Sequence, residues 1–414
     1  MQVLHGKPAE RAVAKLECRA SRREKIEPQV RRIIQNVRRG GDKALFRYTT
    51  LWDFMAKDQA IRVSLQEMEQ AWKSTPAATR DALKRAASNI RRFANWQMPG
   101  SWRRKITGGE LGQIVRPLES VGCYVPGGRH PLPSSLLMTA IPAAAAGVER
   151  IVVVSPNPQP ATLAAAYLLG IAEMYRCGGA QAVAALAYGT ESIVRVDKIV
   201  GPGNAFVTAA KKLVSFDCAI DMLAGPTEAV VYSESGNPVF LAADLAAQAE
   251  HDPDAVVAFI STDAALARRV AENMDRAAKG NAVAIRALRR NAYALVAVSR
   301  EQAIDWVNRI APEHLTVDDD SGVTAIRNAG SIFIGDYSPQ SVGDYAAGPN
   351  HVLPTAGAAR FRGGLSAADF VKIITVQKFS SAGLREIAPV VTRLAEAEGL
   401  RAHAESVRVR CGNA

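Results

Sequence analysis

At 414 residues the chain exceeds the size at which a single hydrophobic core usually stops growing, so two core domains plus tails are expected. With 48% apolar and 22% charged residues it can bury such cores, which excludes a disordered chain, and its apolar stretches are broken well short of the roughly 18 residues a membrane span needs. The net charge of +11 is uneven, with 24 Lys and Arg against 10 Asp and Glu in residues 1–105 and 27 against 30 in the remainder.

Residues 1–25 have no apolar signal core, and Glu10, Glu17 and Glu24 argue against a transit peptide, so a cytoplasmic protein is expected. The pairs Arg22-Arg23, Arg31-Arg32, Arg38-Arg39 and Arg91-Arg92 fall in helical patterns without a recognisable nucleic-acid module. They read as a solvated surface, and no nucleic-acid or membrane partner is expected. Within a mainly helical region of residues 1–100, apolar spacing predicts helices over 26–37 and 83–93, separated by Gly40-Gly41 and by the Ser74-Thr75-Pro76 helix start. The five cysteines are scattered and form no Cys-x-x-Cys pair, so reduced packing residues are expected rather than disulfides or a thiolate zinc cluster.

The texture changes near residue 120. A strand over 121–125 runs into Pro126-Gly127-Gly128, Ser134-Ser135 caps a helix over 136–146, and a strand follows at 151–154. The pattern continues with a helix at 161–174, strands at 182–186 and 198–200, and a helix at 204–214. A second alternation starts near Glu228, with strands at 229–232, 255–260, 294–296 and 331–334 and helices at 239–251, 263–277 and 301–310. Apolar strands alternating with helices imply parallel sheets covered on both faces. Residues 366–414 return to helix, with 380–398 long and charged, as suits an arm reaching another subunit.

Four stretches carry candidate chemistry. Gln248 and His251 close the helix at 239–251, which Asp252-Pro253-Asp254 stops, and one helical turn puts them on a shared face. That face reads either as a polar helix end with a hydrogen-bonded histidine or as half of a metal site; glutamine is not among the usual zinc ligands. Ala311-Pro312-Glu313-His314 sets a carboxylate beside an imidazole, and because neighbours in a regular strand point to opposite faces, a shared site there requires loop backbone. Residues 343–351 hold Asp344, Asn350 and His351 in a glycine-bounded loop, which turn chemistry alone could also explain. Val200-Gly201-Pro202-Gly203-Asn204 turns a strand into a helix as phosphate-cradling loops do, although neither it nor Pro126-Gly127-Gly128 is Gly-x-Gly-x-x-Gly.

Taken together, the chain resembles the histidinol dehydrogenases over roughly residues 30 to 410. The resemblance rests on Val121-Gly122-Cys123-Tyr124-Val125-Pro126-Gly127-Gly128, Gly178-Gly179-Ala180-Gln181-Ala182 and Asp197-Lys198-Ile199-Val200-Gly201-Pro202-Gly203-Asn204. It continues through Ile220-Asp221-Met222-Leu223-Ala224-Gly225-Pro226, Gln248-Ala249-Glu250-His251, Pro312-Glu313-His314-Leu315, Gly343-Asp344-Tyr345 and Asn350-His351-Val352-Leu353-Pro354-Thr355.

What the resemblance implies is oxidation of L-histidinol to L-histidine through an aldehyde, the last steps of histidine biosynthesis, with two NAD reduced and one zinc per subunit of a homodimer with shared active sites. Carried over by motif, Gln248, His251, Asp344 and a partner-borne His403 would hold zinc, which the substrate also meets. His314 would deprotonate the alcohol and Glu313 would activate the water that attacks the aldehyde. Thr227, His351 and Glu398 would line the substrate pocket, and Tyr124, Gln181 and Asn204 the NAD site. Thr227 stands where the family more often has serine, and Ala246-Ala247 where Leu-Ser is common. Relatives of this fold oxidise other alcohols, including sulfonated diols; His351 and Glu398 favour an imidazole, since a carboxylate pairs well with its N–H and poorly with a sulfonate.

The expected fold is α/β: two stacked α/β/α units with incomplete Rossmann-like parallel sheets, plus helical N- and C-terminal extensions that pack on a partner subunit. The expected division is an N-terminal arm over 1–22, a discontinuous catalytic domain over 23–118 and 229–365, a second α/β domain over 119–228, and a C-terminal tail over 366–414 given to the partner subunit.

Overall fold

The computed structural model describes residues 1–19, 26–53, 55–56, 58–127 and 131–412. The Arg22-Arg23 pair, the expected boundary between residues 22 and 23, and Gly128 of the glycine turn lie outside the described residues.

The mixed α/β architecture is the expected one. Glu228–Tyr232 and Val256–Ser261 are buried along their whole length, as parallel strands with helices on both sides must be. They sit at the centre of a six-stranded parallel sheet in the order Gln2–His5, Ala292–Val296, Val256–Ser261, Glu228–Tyr232, His314–Val317 and Ser331–Ile334. Leu241, Leu245, Leu266 and Met274 cover one face around Phe259, while Val13, Leu16, Trp306 and Ile310 cover the other.

A second parallel sheet has five strands, Glu173–Tyr175, Arg150–Val154, Ser120–Tyr124, Lys198–Val200 and Ala219–Ile220. The helix Glu27–Trp52, broken at Gly41 where φ is 50°, lays Val30, Ile33 and Val37 against this layer. Helices Leu65–Ser74 and Ala77–Trp96 do the same with Met68, Leu83 and Ile90 on the opposite face. Residues 27–96, expected in the domain of the six-stranded sheet, therefore belong by packing to the five-stranded one.

Several expectations need correction. Within the expected N-terminal arm, Gln2–His5 pairs with Tyr293–Val296 of the same chain, and the helix Gly6–Glu17 buries Ala9, Ala12, Val13 and Leu16 there. The expected strand at 182–186 is part of the helix Gly179–Tyr188, while Glu173–Tyr175, expected as a helix end, is the strand. Gly170, at φ 67°, stops the preceding helix early enough to allow that strand. Ser134 and Ser135 lie inside the helix Pro133–Ala145, which begins one residue after Leu132. The expected all-helical segment after 366 contains the strand Val371–Phe379, which pairs antiparallel with Gly109–Pro117 of a hairpin. Its two C-terminal helices are Ser381–Ala397 and Arg401–Cys411. No helix among the described residues is long and apolar enough to cross a membrane.

Trp306 clips the N-terminal helix to the sheet, since its ring is 1% exposed and its Nε1 donates to Glu10 Oε1 at 2.7 Å. Trp306→Ala is expected to cost roughly 3–5 kcal/mol of stability, measured as a lowered urea midpoint; an unchanged midpoint would show that the N-terminal layer adds nothing to the core.

Candidate active site

Each parallel sheet has a point where its chain order reverses. In the five-stranded sheet it falls between Ser120–Tyr124 and Lys198–Val200, and the loops leaving their carboxyl ends carry Pro126 and residues 201–204. In the six-stranded sheet it falls between Glu228–Tyr232 and His314–Val317, whose amino ends carry Thr227 and Glu313. These two ends face one another across a cleft of about 340 Å³. Carboxyl ends of parallel strands at such a reversal are the usual ligand crevice of open α/β sheets.

Eight of the expected site residues meet there: Asn204, Thr227, Gln248, His251, Glu313, His314, Asp344 and His351. Gln248 comes from the last turn of the helix Pro238–Ala249, which Asn237 caps by accepting from Val239 N at 2.9 Å. The helix ends two residues earlier than expected, so His251 sits in the following turn, donating its backbone N–H to Gln248 O at 3.3 Å. Asp344 is on the short helix Gln340–Tyr345 rather than in a loop, and only His351 of that pair lies beyond it. Asn204 caps the helix Ala205–Val214, its Oδ1 accepting from Phe206 and Val207 N–H groups.

The Glu313-His314 pair owes its shape to one residue. The helix Arg300–Ile310 ends on Ala311 in the left-handed region, at φ 49°, and the chain then passes Pro312 into the strand that His314 begins. Glu313 precedes the strand, so the two neighbours are not held to opposite faces, and His314 Nδ1 lies 3.7 Å from Glu313 Oε2. Glu313 Oε2 also accepts from the backbone N–H of Glu228 at 2.9 Å.

Asp344 gathers the rest. Its Oδ2 accepts from Gln248 Nε2 at 3.0 Å, its Oδ1 lies 3.2 Å from His314 Nε2, and its backbone oxygen lies 2.7 Å from His351 Nδ1. Because a backbone oxygen can only accept, His351 carries its proton on Nδ1, and its Nε2 accepts from the Ser135 hydroxyl at 3.2 Å. Ser135 is a cleft residue that the sequence presents only as a helix cap. Since the Asp344 carboxylate likewise accepts from His314 Nε2, the neutral His314 ring leaves Nδ1 bare, and that buried atom has no hydrogen-bond partner among the described residues.

These environments push the titrations apart. Burial drives the Glu313 carboxyl up to about 8. For His314 burial opposes protonation, but Glu313 and Asp344 outweigh it and raise the ring above its ordinary range. Burial also works against an ionised Asp344, yet His314, His351 and Gln248 together hold it below the usual carboxylate range. Burial lowers His351. A carboxyl that titrates near neutral pH, an imidazole beside it and an ionised carboxylate on the ring's other nitrogen can take up and pass protons near neutral pH.

As metal donors, Gln248, His251 and Asp344 bring an amide, an imidazole and a carboxylate from separate segments to one wall of the cleft. Among the described residues no three His, Cys, Asp or Glu are grouped to hold an ion. Imidazole and carboxylate are ordinary zinc donors, and the amide is the unusual member of the three.

Four expected residues do not line the cleft. Tyr124 is buried behind it, its hydroxyl accepting from Gly179 N–H at 3.0 Å, and Gln181 donates to Asp53 Oδ2 at 3.1 Å. Glu398 ends the helix Ser381–Ala397 and His403 lies on Arg401–Cys411, both exposed.

The family model described as Histidinol dehydrogenase matches residues 16–411. The chain is 47% identical to a histidinol dehydrogenase of Methanothermobacter thermautotrophicus over 91% of this chain and 92% of the relative. It is 43% identical to one of Oceanobacillus iheyensis over 95% of each. The crystal structure of histidinol dehydrogenase from Elizabethkingia anophelis superposes with a TM-score of 0.94 at 37% identity, covering 99% of this chain and 98% of that one.

A carboxyl raised from an ordinary 4.5 to about 8 keeps its proton in the fold after the unfolded chain has lost it. Its contribution is fully present below 4.5 and is lost as the pH rises through about 8. Glu313→Gln removes that loss, so in chelator-treated protein its melting temperature should gain on the parent's as pH rises from about 5 to about 8. Parallel melting curves across that range would contradict a neutral buried carboxyl.

Proposed function

This chain belongs to the histidinol dehydrogenase family, and from that premise we propose that it oxidises L-histidinol to L-histidine through L-histidinal, reducing two NAD. The observation that carries the proposal is the convergence of Glu313, His314, Asp344, Gln248 and His251 on one cleft, opposite the loop at 201–204.

His314 accepts the proton of the substrate hydroxyl, because the carbon releases hydride readily only as that proton leaves. Glu313, with Oε2 beside the bare Nδ1, shares protons with the ring. Its carboxyl titrates close to neutral pH, so it also serves as the base that draws a proton from water when the aldehyde is hydrated. Thr227 and His351 orient the substrate in the cleft, with Ser135 fixing the His351 ring. Glu398 of the partner subunit adds a carboxylate for the imidazole N–H. Asn204 faces the NAD site, and Tyr124 and Gln181 shape the wall behind it. When bound, NAD supplies the hydride acceptor for both oxidations.

Gln248, His251 and Asp344 hold one zinc per subunit, and the partner subunit's His403 completes the set. The zinc supplies an anchoring charge for the substrate's imidazole and amine, as a template. Exposed apolar side chains on the C-terminal helix, Ile387 at 39%, Val390 at 57% and Leu394 at 60%, support its docking on a second copy.

Purified protein with zinc and NAD is expected to form two NADH per L-histidinol consumed. One NADH with released aldehyde, or no turnover, would sink the assignment. His314→Ala and Glu313→Gln should each lower kcat by roughly 10²–10⁴-fold, and parental rates would remove them from the proton path.

His251→Ala is expected to lose the metal, and stoichiometric zinc by elemental analysis would refute that ligand. His403→Ala chains exchanged with Gln248→Ala chains should regain activity, because one site of the mixed dimer is intact. Failure to regain it after proven exchange would count against shared sites.

A further inference from the structure

Beneath the loop at 201–204 lies an ion pair that the reaction does not use. Lys211, on the helix Ala205–Val214, is 1% exposed, and Asp221, just past the strand Ala219–Ile220, is 5% exposed. Lys211 Nζ is paired with Asp221 Oδ1. Both groups also grip one glycine. Lys211 Nζ donates to Gly201 O at 2.9 Å, and Asp221 Oδ2 accepts from Gly201 N–H at 2.7 Å. Asp221 Oδ1 accepts in addition from Met222 N–H, so each of its oxygens has an N–H partner.

Gly201 stands one residue beyond the last ladder pair of its strand, Cys123 with Val200, so no neighbouring strand is there to take its peptide groups. Its φ of 116° is open only to glycine, and a Cβ there would come within 2.2 Å of Tyr124 O. The chain thus turns sharply under the cleft wall, and the turn is secured by a cation on the carbonyl and an anion on the N–H. Stability offers no reason for the pair, since apolar residues of similar volume usually serve a core as well as two desolvated charges. What apolar residues cannot do is hold both the N–H and the C=O of Gly201.

We propose that Lys211 and Asp221 are positioning residues for the cofactor, bracing Gly201 from below so that Pro202, Gly203 and Asn204 present a fixed surface to NAD. The inference rests on the reading of residues 201–204 as part of the NAD site. It predicts a selective defect: the substrate and proton-transfer groups on the opposite wall hang from other elements and keep their places.

The neutral double variant Lys211→Met/Asp221→Leu tests it, with Asp221→Asn as a second, milder variant that keeps an acceptor for Gly201. In the zinc-loaded full chain, titration calorimetry should show NAD binding about tenfold weaker or more in the double variant, with L-histidinol binding within about twofold of the parent. Hydrogen exchange without any ligand should be at least about tenfold faster at the amides of Gly201, Gly203 and Asn204. If the double variant does not fold, Asp221→Asn is expected to show the same selective loss in smaller measure. A folded variant with parental NAD affinity and parental exchange overturns the brace. Equal weakening for NAD and L-histidinol overturns it too, because that is what general loosening would give. A parental protein that binds no NAD overturns the cofactor reading instead, and the exchange measurement then judges the brace alone.

Discussion

The site depends on the contacts of one residue, Asp344. Its two carboxylate oxygens and its backbone oxygen engage Gln248, His314 and His351, side chains borne by three different segments. The helix that carries it, Gln340–Tyr345, is too short to persist on its own. It is fixed from beneath: Gln340 donates to Thr316 Oγ1 at 3.1 Å in the interior, and Gly343 fits against the Phe333 ring, where a Cβ would approach within 2.7 Å. Phe333 in turn stacks on His314 with centroids 5.9 Å apart. The carboxylate that gathers these side chains is thus placed by the sheet whose strand carries His314.

The second consequence is electrostatic. Asp344 and Glu313 flank the same imidazole, yet one is held ionised by donors and the other neutral by burial. Two carboxyls in opposite states on either side of a histidine divide the work of stabilising and exchanging protons. Neither state is a property of the residue type; each follows from the number of donors the surrounding elements aim at it.

Much of this could be read from the chain. Alternating apolar runs and helices gave the parallel layers, because a strand buried on both faces must be apolar throughout, as Glu228–Tyr232 nearly is. Gln248 and His251 were legible as neighbours three residues apart, although the helix stops at Ala249, and Asp344 and His351 as a dense polar stretch, although a short helix carries Asp344. The errors share a cause. Residues 182–186 and 173–175 are both short apolar runs, and periodicity cannot distinguish a buried strand from a buried helix at that length. The edge strand Gln2–His5 and the strand Val371–Phe379 pair with segments hundreds of residues away, so no local pattern marks them. Resemblance alone pointed to Glu398 and His403, which within this chain are exposed and do not line the cleft. Ser135, Lys211 and Asp221 were hidden because each has an ordinary local role, and only the folded chain brings them against His351 and Gly201.

The pairing of Gln2–His5 with Ala292–Val296 also fixes an order of events during synthesis. The strand Gln2–His5 is made some 290 residues before its partner, whereas the five-stranded layer is complete by Ile220. At about 5–20 residues per second that interval is roughly fifteen seconds to a minute. Toward the end of that interval the five-stranded half can already be folded while the amphipathic helix Gly6–Glu17 still waits with its apolar stripe uncovered, a client for chaperones before it is a wall of the enzyme.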